Sequence, residues 1–148
     1  MDVQATVDAP VGVEKLFAVV ADLETYSQWL DIVHVVEVEP SGDNESNAWL
    51  VELRGKVGPF ARSKRLRMVR SVCESPNTVI FKRSETDGRM HSPWVLTAQL
   101  SQTAIGSSVT VHLHYGGKLI TGGVLERLLA DQIAQGREKL LLTLKAIH

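Results

Sequence analysis

Six segments of strand character follow one another between residues 31 and 115, and none of the gaps between them is long enough to hold a helix. Residues 31–39 alternate Ile32, His34, Val36 and Val38 against Val33, Val35, Glu37 and Glu39, and further segments lie at 47–54, 61–73, 77–84, 91–102 and 107–115. The runs PSGDN, GKVGPF, ESP, ETDGR and TAIG between them are turn chemistry. A parallel pair of strands needs a crossover of a dozen or more residues, usually a helix. Without one, each segment turns back beside its predecessor, so the middle of the chain is an antiparallel meander.

The flanks complete the pattern. Residues 2–8 alternate Val3, Ala5 and Val7 with polar neighbours and read as a seventh strand, and Asp8-Ala9-Pro10 signals a helix start. Val13, Leu16, Phe17 and Val20 then share one helix face, and Asp22 can cap a second short helix carrying Leu23 and Tyr26. From 122 to 147 a single amphipathic segment puts Leu125, Leu128, Leu129, Ile133, Leu140, Leu144 and Ile147 on one stripe. At ~1.5 Å per residue that helix runs to about 40 Å, roughly the reach of seven adjacent strands. The expected fold class is therefore α+β: a curved seven-stranded antiparallel sheet wrapping a long C-terminal helix, with two short helices after the first strand, all in one domain over 1–148.

Charge and motifs narrow the function. Sixteen Lys plus Arg against seventeen Asp plus Glu leave a net charge of −1, so no global field attracts a polyanion, and no nucleic-acid partner is expected. Arg62, Lys64, Arg65, Arg67 and Arg70 divide between both faces of a strand without interleaved aromatics, and Glu37, Glu39 and Glu52 stand ready to pair with them across the sheet. No apolar run approaches the ~20 residues of a membrane span, and MDVQATVDAP has no leader pattern, so a cytoplasmic protein without a transmembrane segment is expected. Cys73, the single cysteine, reads as a small packed residue. CxxC, HExxH, GxxxxGK[ST] and GxSxG do not occur, and no cofactor is expected.

The element order and three stretches of text, VDAPVGVEKLFAVVADLETYSQWLDIVHVVEVE, GKVGPF and GGKLITGGVLERLLADQIAQGREKLLLTL, resemble the START-like superfamily, also called SRPBCC or the polyketide cyclase/dehydrase and lipid transport group. The resemblance covers nearly the whole chain. It implies a helix-grip fold with an internal cavity for an apolar ligand, and marks Gly55 to Phe60 and Gly116 to Gly123 as candidates for the cavity mouth. Members include carriers of lipids, quinones and hormones, polyketide cyclases and toxin-like proteins, among which fold alone does not choose.

Strand parity supplies the candidate ligand-binding residues: Trp49, Val51, Leu66, Met68, Phe81, Trp94, Leu96 and Tyr115 from the sheet, facing Leu125, Leu129 and Ile133 of the long helix. For any one of them alone, simple core filling is the better explanation, and only the set as a whole points to a cavity. His34, sharing a face with Ile32 and Val36, is the candidate polar handle. Gly136 removes side-chain volume in the middle of the helix, which leaves either an empty pocket or room for a Trp from the sheet. His112 and His114 share a face opposite to Val111 and Leu113, outside, and no metal is assigned.

Ser63-Lys64-Arg65 resembles the Ser-x-Arg element of the superfamily's cyclases. Parity nevertheless puts Ser63 and Arg65 outside unless a bulge near Pro59 reverses the register, and no catalytic residue is assigned. The leading expectation is binding of a small hydrophobic or amphipathic molecule, a lipid, isoprenoid or polyketide-like compound, by a carrier or sensor. One alternative is an aromatic polyketide cyclase or dehydratase using Arg65, Ser63, His34 or Tyr115. Another is a toxin-like or regulatory protein acting through a protein partner, and a homodimer is compatible with either.

Overall fold

The computed structural model describes residues 2–30, 33–39, 47–57, 60–116 and 124–146, with side chains for all of these apart from positions 3, 55–57, 60–62, 124–130, 132–134 and 146. Seven strands, β1 (Asp2–Ala9), β2 (Val33–Glu39), β3 (Ala48–Val57), β4 (Phe60–Glu74), β5 (Thr78–Arg83), β6 (Trp94–Thr103) and β7 (Gly106–Tyr115), form one antiparallel sheet in the order β1-β7-β6-β5-β4-β3-β2. From β2 onward each strand pairs with the next, as the short gaps require. Helix α1 (Val13–Val20) and a 3₁₀ helix (Leu23–Gln28) join β1 to β2, and so carry the chain from one edge of the sheet to the other. Helix α2 (Val124–Ala146) follows the last strand, and the whole is the curled sheet and C-terminal helix of the helix-grip fold.

The corner between α1 and the 3₁₀ helix is fixed by local hydrogen bonds. Asp22 Oδ1 accepts from the Glu24 N–H at 3.0 Å, which is the anticipated cap. Thr25 Oγ1 donates to the Val19 carbonyl at 2.7 Å and the buried Tyr26 hydroxyl donates to Val20 O at 2.8 Å, so the last carbonyls of α1 are satisfied from below. Arg70 reaches in from β4 and donates to Ala21 O at 2.9 Å. A cation at a helix C-terminus is favourable in the field of the aligned peptide dipoles. The apolar face of α1 packs on β6 and β7, and Leu140 and Leu144 of α2 close the core nearby.

Two irregularities decide which side chains point inward. The β2–β3 register slips between Val33 and Val35, so that Val33 opposes Leu53 while Val36 opposes Val51. This bulge leaves His34 exposed, which corrects the expectation that it faces the interior: one extra residue restarts the alternation, and a simple period of two carried across it misplaces the residue at the slip. A second slip falls between Arg70 and Val72, and Cys73 beyond it is exposed, not packed. By contrast β3 and β4 pair without a break from Ala48↔Val69 to Val57↔Phe60. Leu66 and Met68 are therefore buried, while Ser63 is exposed and Arg65 shows 87% of its side chain to solvent.

The outer face carries the expected charge pairs. Arg67 Nε meets Glu39 at 2.7 Å, and Glu52 lies 4.0 Å from Arg65 and 3.8 Å from Arg54. His112 Nε2 and His114 Nδ1 both bond Asp2 Oδ1, at 2.9 and 3.0 Å, pinning β1 to β7 from outside. Among the described residues no helix is long and apolar enough to cross a membrane.

Candidate functional site

Curling the sheet leaves a cavity of about 100 Å³ between its inner face and the 3₁₀ helix. Val33, Val36, Val51, Leu53, Leu66 and Met68 line it from β2, β3 and β4, and Trp94, Leu96, Val111 and Leu113 from β6 and β7. Leu23, Tyr26, Trp29 and Leu30 form the facing wall. Among the described residues no polar atom contributes to its surface. The Tyr26 hydroxyl is turned away to Val20 O, and burial pushes its phenol far up from the ordinary tyrosine range. The indole nitrogens of Trp29 and Trp94 are buried without an acceptor among the described residues and add no surface to the cavity either.

Of the residues singled out from sequence, Val51, Leu66, Met68, Trp94 and Leu96 line this space. Trp49, Phe81 and Tyr115 are buried just outside it as aromatic packing. Phe81 lies edge-on to Trp49 with ring centroids 5.6 Å apart, and Tyr115 lies against Trp94 at 5.2 Å. The side chains of Leu125, Leu129 and Ile133 are outside the described set, as are residues 58–59, the side chains at 55–57 and 60, and residues 117–123 of the anticipated mouth.

Gly136 is neither the floor of a pocket nor a socket for a sheet Trp. A Cβ there would stand 2.3 Å from the carbonyl oxygen of Trp29 and 3.3 Å from Leu30 Cδ2. The missing side chain lets α2 seat directly on the turn that closes the cavity.

A charged side chain, Lys64, reaches the border of the apolar wall. Lys64 opposes Leu53 in the β3–β4 ladder and shares the parity of Leu66 and Met68, so it points inward, and its Nζ stands 5.8 Å from the centroid of the Trp94 ring. Burial, and then the neighbouring Arg83 guanidinium, hold its pKa below the ordinary lysine value. Arg83 itself is engaged: it bonds Glu85 at 3.0 Å, His91 at 3.2 Å and the Ser92 carbonyl at 3.3 Å. Burial pushes the Glu85 carboxyl up, but the Arg67 N–H and the Arg83 guanidinium together outweigh it and leave the group below its usual range.

A family model described as polyketide cyclase / dehydrase and lipid transport matches residues 1–146. The chain belongs to that family. Its fold is shared by a START superfamily protein from Mycobacterium smegmatis, with TM-score 0.74, 13% identity and 99% of both chains covered. The KanY protein, solved by NMR, gives TM-score 0.73 at 17% identity over 98% of this chain and 97% of its own. The di-domain ARO/CYC StfQ from the steffimycin biosynthetic pathway gives TM-score 0.63 at 13% identity, covering 98% of this chain and 49% of that one. Among curated proteins no relative matches the sequence.

Within this START-like frame, two parts of the site escaped sequence reasoning. The wall from the 3₁₀ helix was hidden because Leu23, Tyr26, Trp29 and Leu30 follow no strand parity, although their spacing marks one apolar side of a short turn. Lys64 stands among four arginines in a run that reads as paired with glutamates across the sheet; the signal that separates it is the same alternation that turns Leu66 and Met68 inward.

Proposed function

We propose that this member of the polyketide cyclase/dehydrase and lipid transport family is a binding protein, a cytoplasmic carrier or sensor, and that residues 1–148 act as one domain that holds a small hydrophobic or amphipathic molecule in the cavity. The observation that carries this reading is the wall itself, apolar at every described residue and built from both the sheet and the segment Leu23 to Leu30. Such a surface recognises by burial, at roughly 25 cal/mol for each Å² of apolar area removed from water. Chemistry of the cyclase kind needs a proton-moving group and an oxyanion donor converging on one point. Ser63, Arg65 and His34 are exposed, and Tyr115 is packed behind Trp94, which favours binding over catalysis.

The test titrates a neutral single-ring apolar compound such as toluene by calorimetry. The wild-type protein is expected to bind it with a change in the fluorescence of Trp29 and Trp94, which line the cavity. Val111→Phe, which puts a ring into the cavity at an overpacking cost of ~1–3 kcal/mol, is expected to stay folded and lose most of that binding. Equal binding by a folded Val111→Phe protein overturns the assignment to this cavity.

A further inference from the structure

Lys64 is a cation on the concave side of the sheet, where an apolar residue would continue the wall. Its register partner Leu53, and Leu66 two positions along the same strand, both line the cavity, as does Trp94, whose ring lies 5.8 Å from Nζ. Desolvating an ammonium without a counter-charge is unfavourable. Among the described residues no carboxylate lies within ion-pairing distance of Nζ, and the nearby Glu85 is already held by Arg83 and by the backbone N–H of Arg67. The inner rim of an apolar cavity thus presents a half-buried positive charge, steadied over an aromatic face and with no ion-paired carboxylate among the described residues.

We propose that Lys64 receives the carboxylate of a small amphipathic acid whose apolar part occupies the cavity. The inference rests on the binding function given above and names the chemical class of its ligand. An ammonium-to-carboxylate hydrogen bond in partly desolvated surroundings is stronger than a neutral one and fixes the orientation, head at the rim and chain inward. The cavity, at about 100 Å³, is well below the ~300–1,000 Å³ of sites for drug-sized molecules, which favours a short chain or a single ring. The competing account is that the lysine stem merely covers apolar surface while its head stays in water. That account gives the charge of the ligand no role.

The two accounts separate in calorimetric titrations of octanoate and 1-octanol at neutral pH, with wild type and Lys64→Met. The wild-type protein is expected to bind octanoate about fivefold or more tighter than octanol. Lys64→Met, which keeps the stem and removes the charge, is expected to lose about fivefold or more for octanoate while its octanol affinity stays within about twofold. Octanol binding in the variant reports that the cavity persists, and the wild-type comparison decides even if the variant does not fold. Octanoate and octanol binding alike to wild type, or a smaller loss in a variant that still binds octanol, overturns the anionic-head proposal and leaves the cavity reading standing. Failure of wild type to bind either compound overturns both.

Discussion

Gly136 shows how one absent methyl group sets the depth of the site. The 2.3 Å separation between its hypothetical Cβ and the Trp29 oxygen leaves no room for any side chain, yet alanine gains about 1 kcal/mol over glycine in a helix interior. The two effects oppose, and the clash with backbone wins because a carbonyl cannot rotate aside as a side-chain tip can. Gly136→Ala is expected to lower the unfolding free energy by ~1–3 kcal/mol in chemical denaturation, and an alanine variant more stable than wild type would contradict the close approach. The same residue marks a limit of sequence reasoning. A mid-helix glycine announces a packing reason, but local pattern offers only an empty pocket or a Trp from the sheet, and its partner is a main-chain oxygen of a turn 107 residues earlier. Nothing in local pattern points to so distant a backbone atom.

Strands show the opposite balance. The antiparallel sense and neighbour order of β2 to β7 follow from their short gaps, though the pairing of β1 with β7 does not, and within an unbroken ladder such as β3–β4 parity assigns the described side chains to their faces. Legibility stops at a bulge, as at Val33–Val35, because an extra residue is an event of pairing and leaves no mark in composition. Strand ends add a further device. Ser84 N–H still donates to Arg67 O at 2.9 Å, and beyond it the Glu85 carboxylate takes over from the backbone by accepting the Arg67 N–H at 3.0 Å and the Arg83 Nε–H at 3.0 Å. The folded carboxyl titrates below its usual range, so the unfolded chain takes up the proton first. Its contribution is complete above the ordinary glutamate pKa of about 4.3 and disappears as pH falls through the folded value. The difference in unfolding free energy between wild type and Glu85→Gln is therefore expected to be largest near neutrality and to shrink below about pH 4. A difference that stays constant across that range would remove the electrostatic account.

The path of the chain joins the two edge strands, β1 and β2, through the α1–3₁₀ corner, so the concave side is closed by a helical connection and not by a further strand. The walls consequently differ in what it takes to move them. Displacing β3, β4, β6 or β7 breaks ladder hydrogen bonds on both sides of the strand, whereas Tyr26 to Leu30 hang on a few turn bonds, among them Leu30 N–H to Tyr26 O at 2.8 Å, and on their seat against Gly136. In deuterium exchange this makes two classes of amide. Those of residues 26–30 are expected to exchange by local opening, well ahead of the central strands, and to slow selectively when the cavity is filled. Uniform protection across both walls would mean that the site opens only with global unfolding. Where the turn breathes alone, its opening rate sets the residence time of whatever the cavity holds, and a guest can leave without any strand parting from its neighbour.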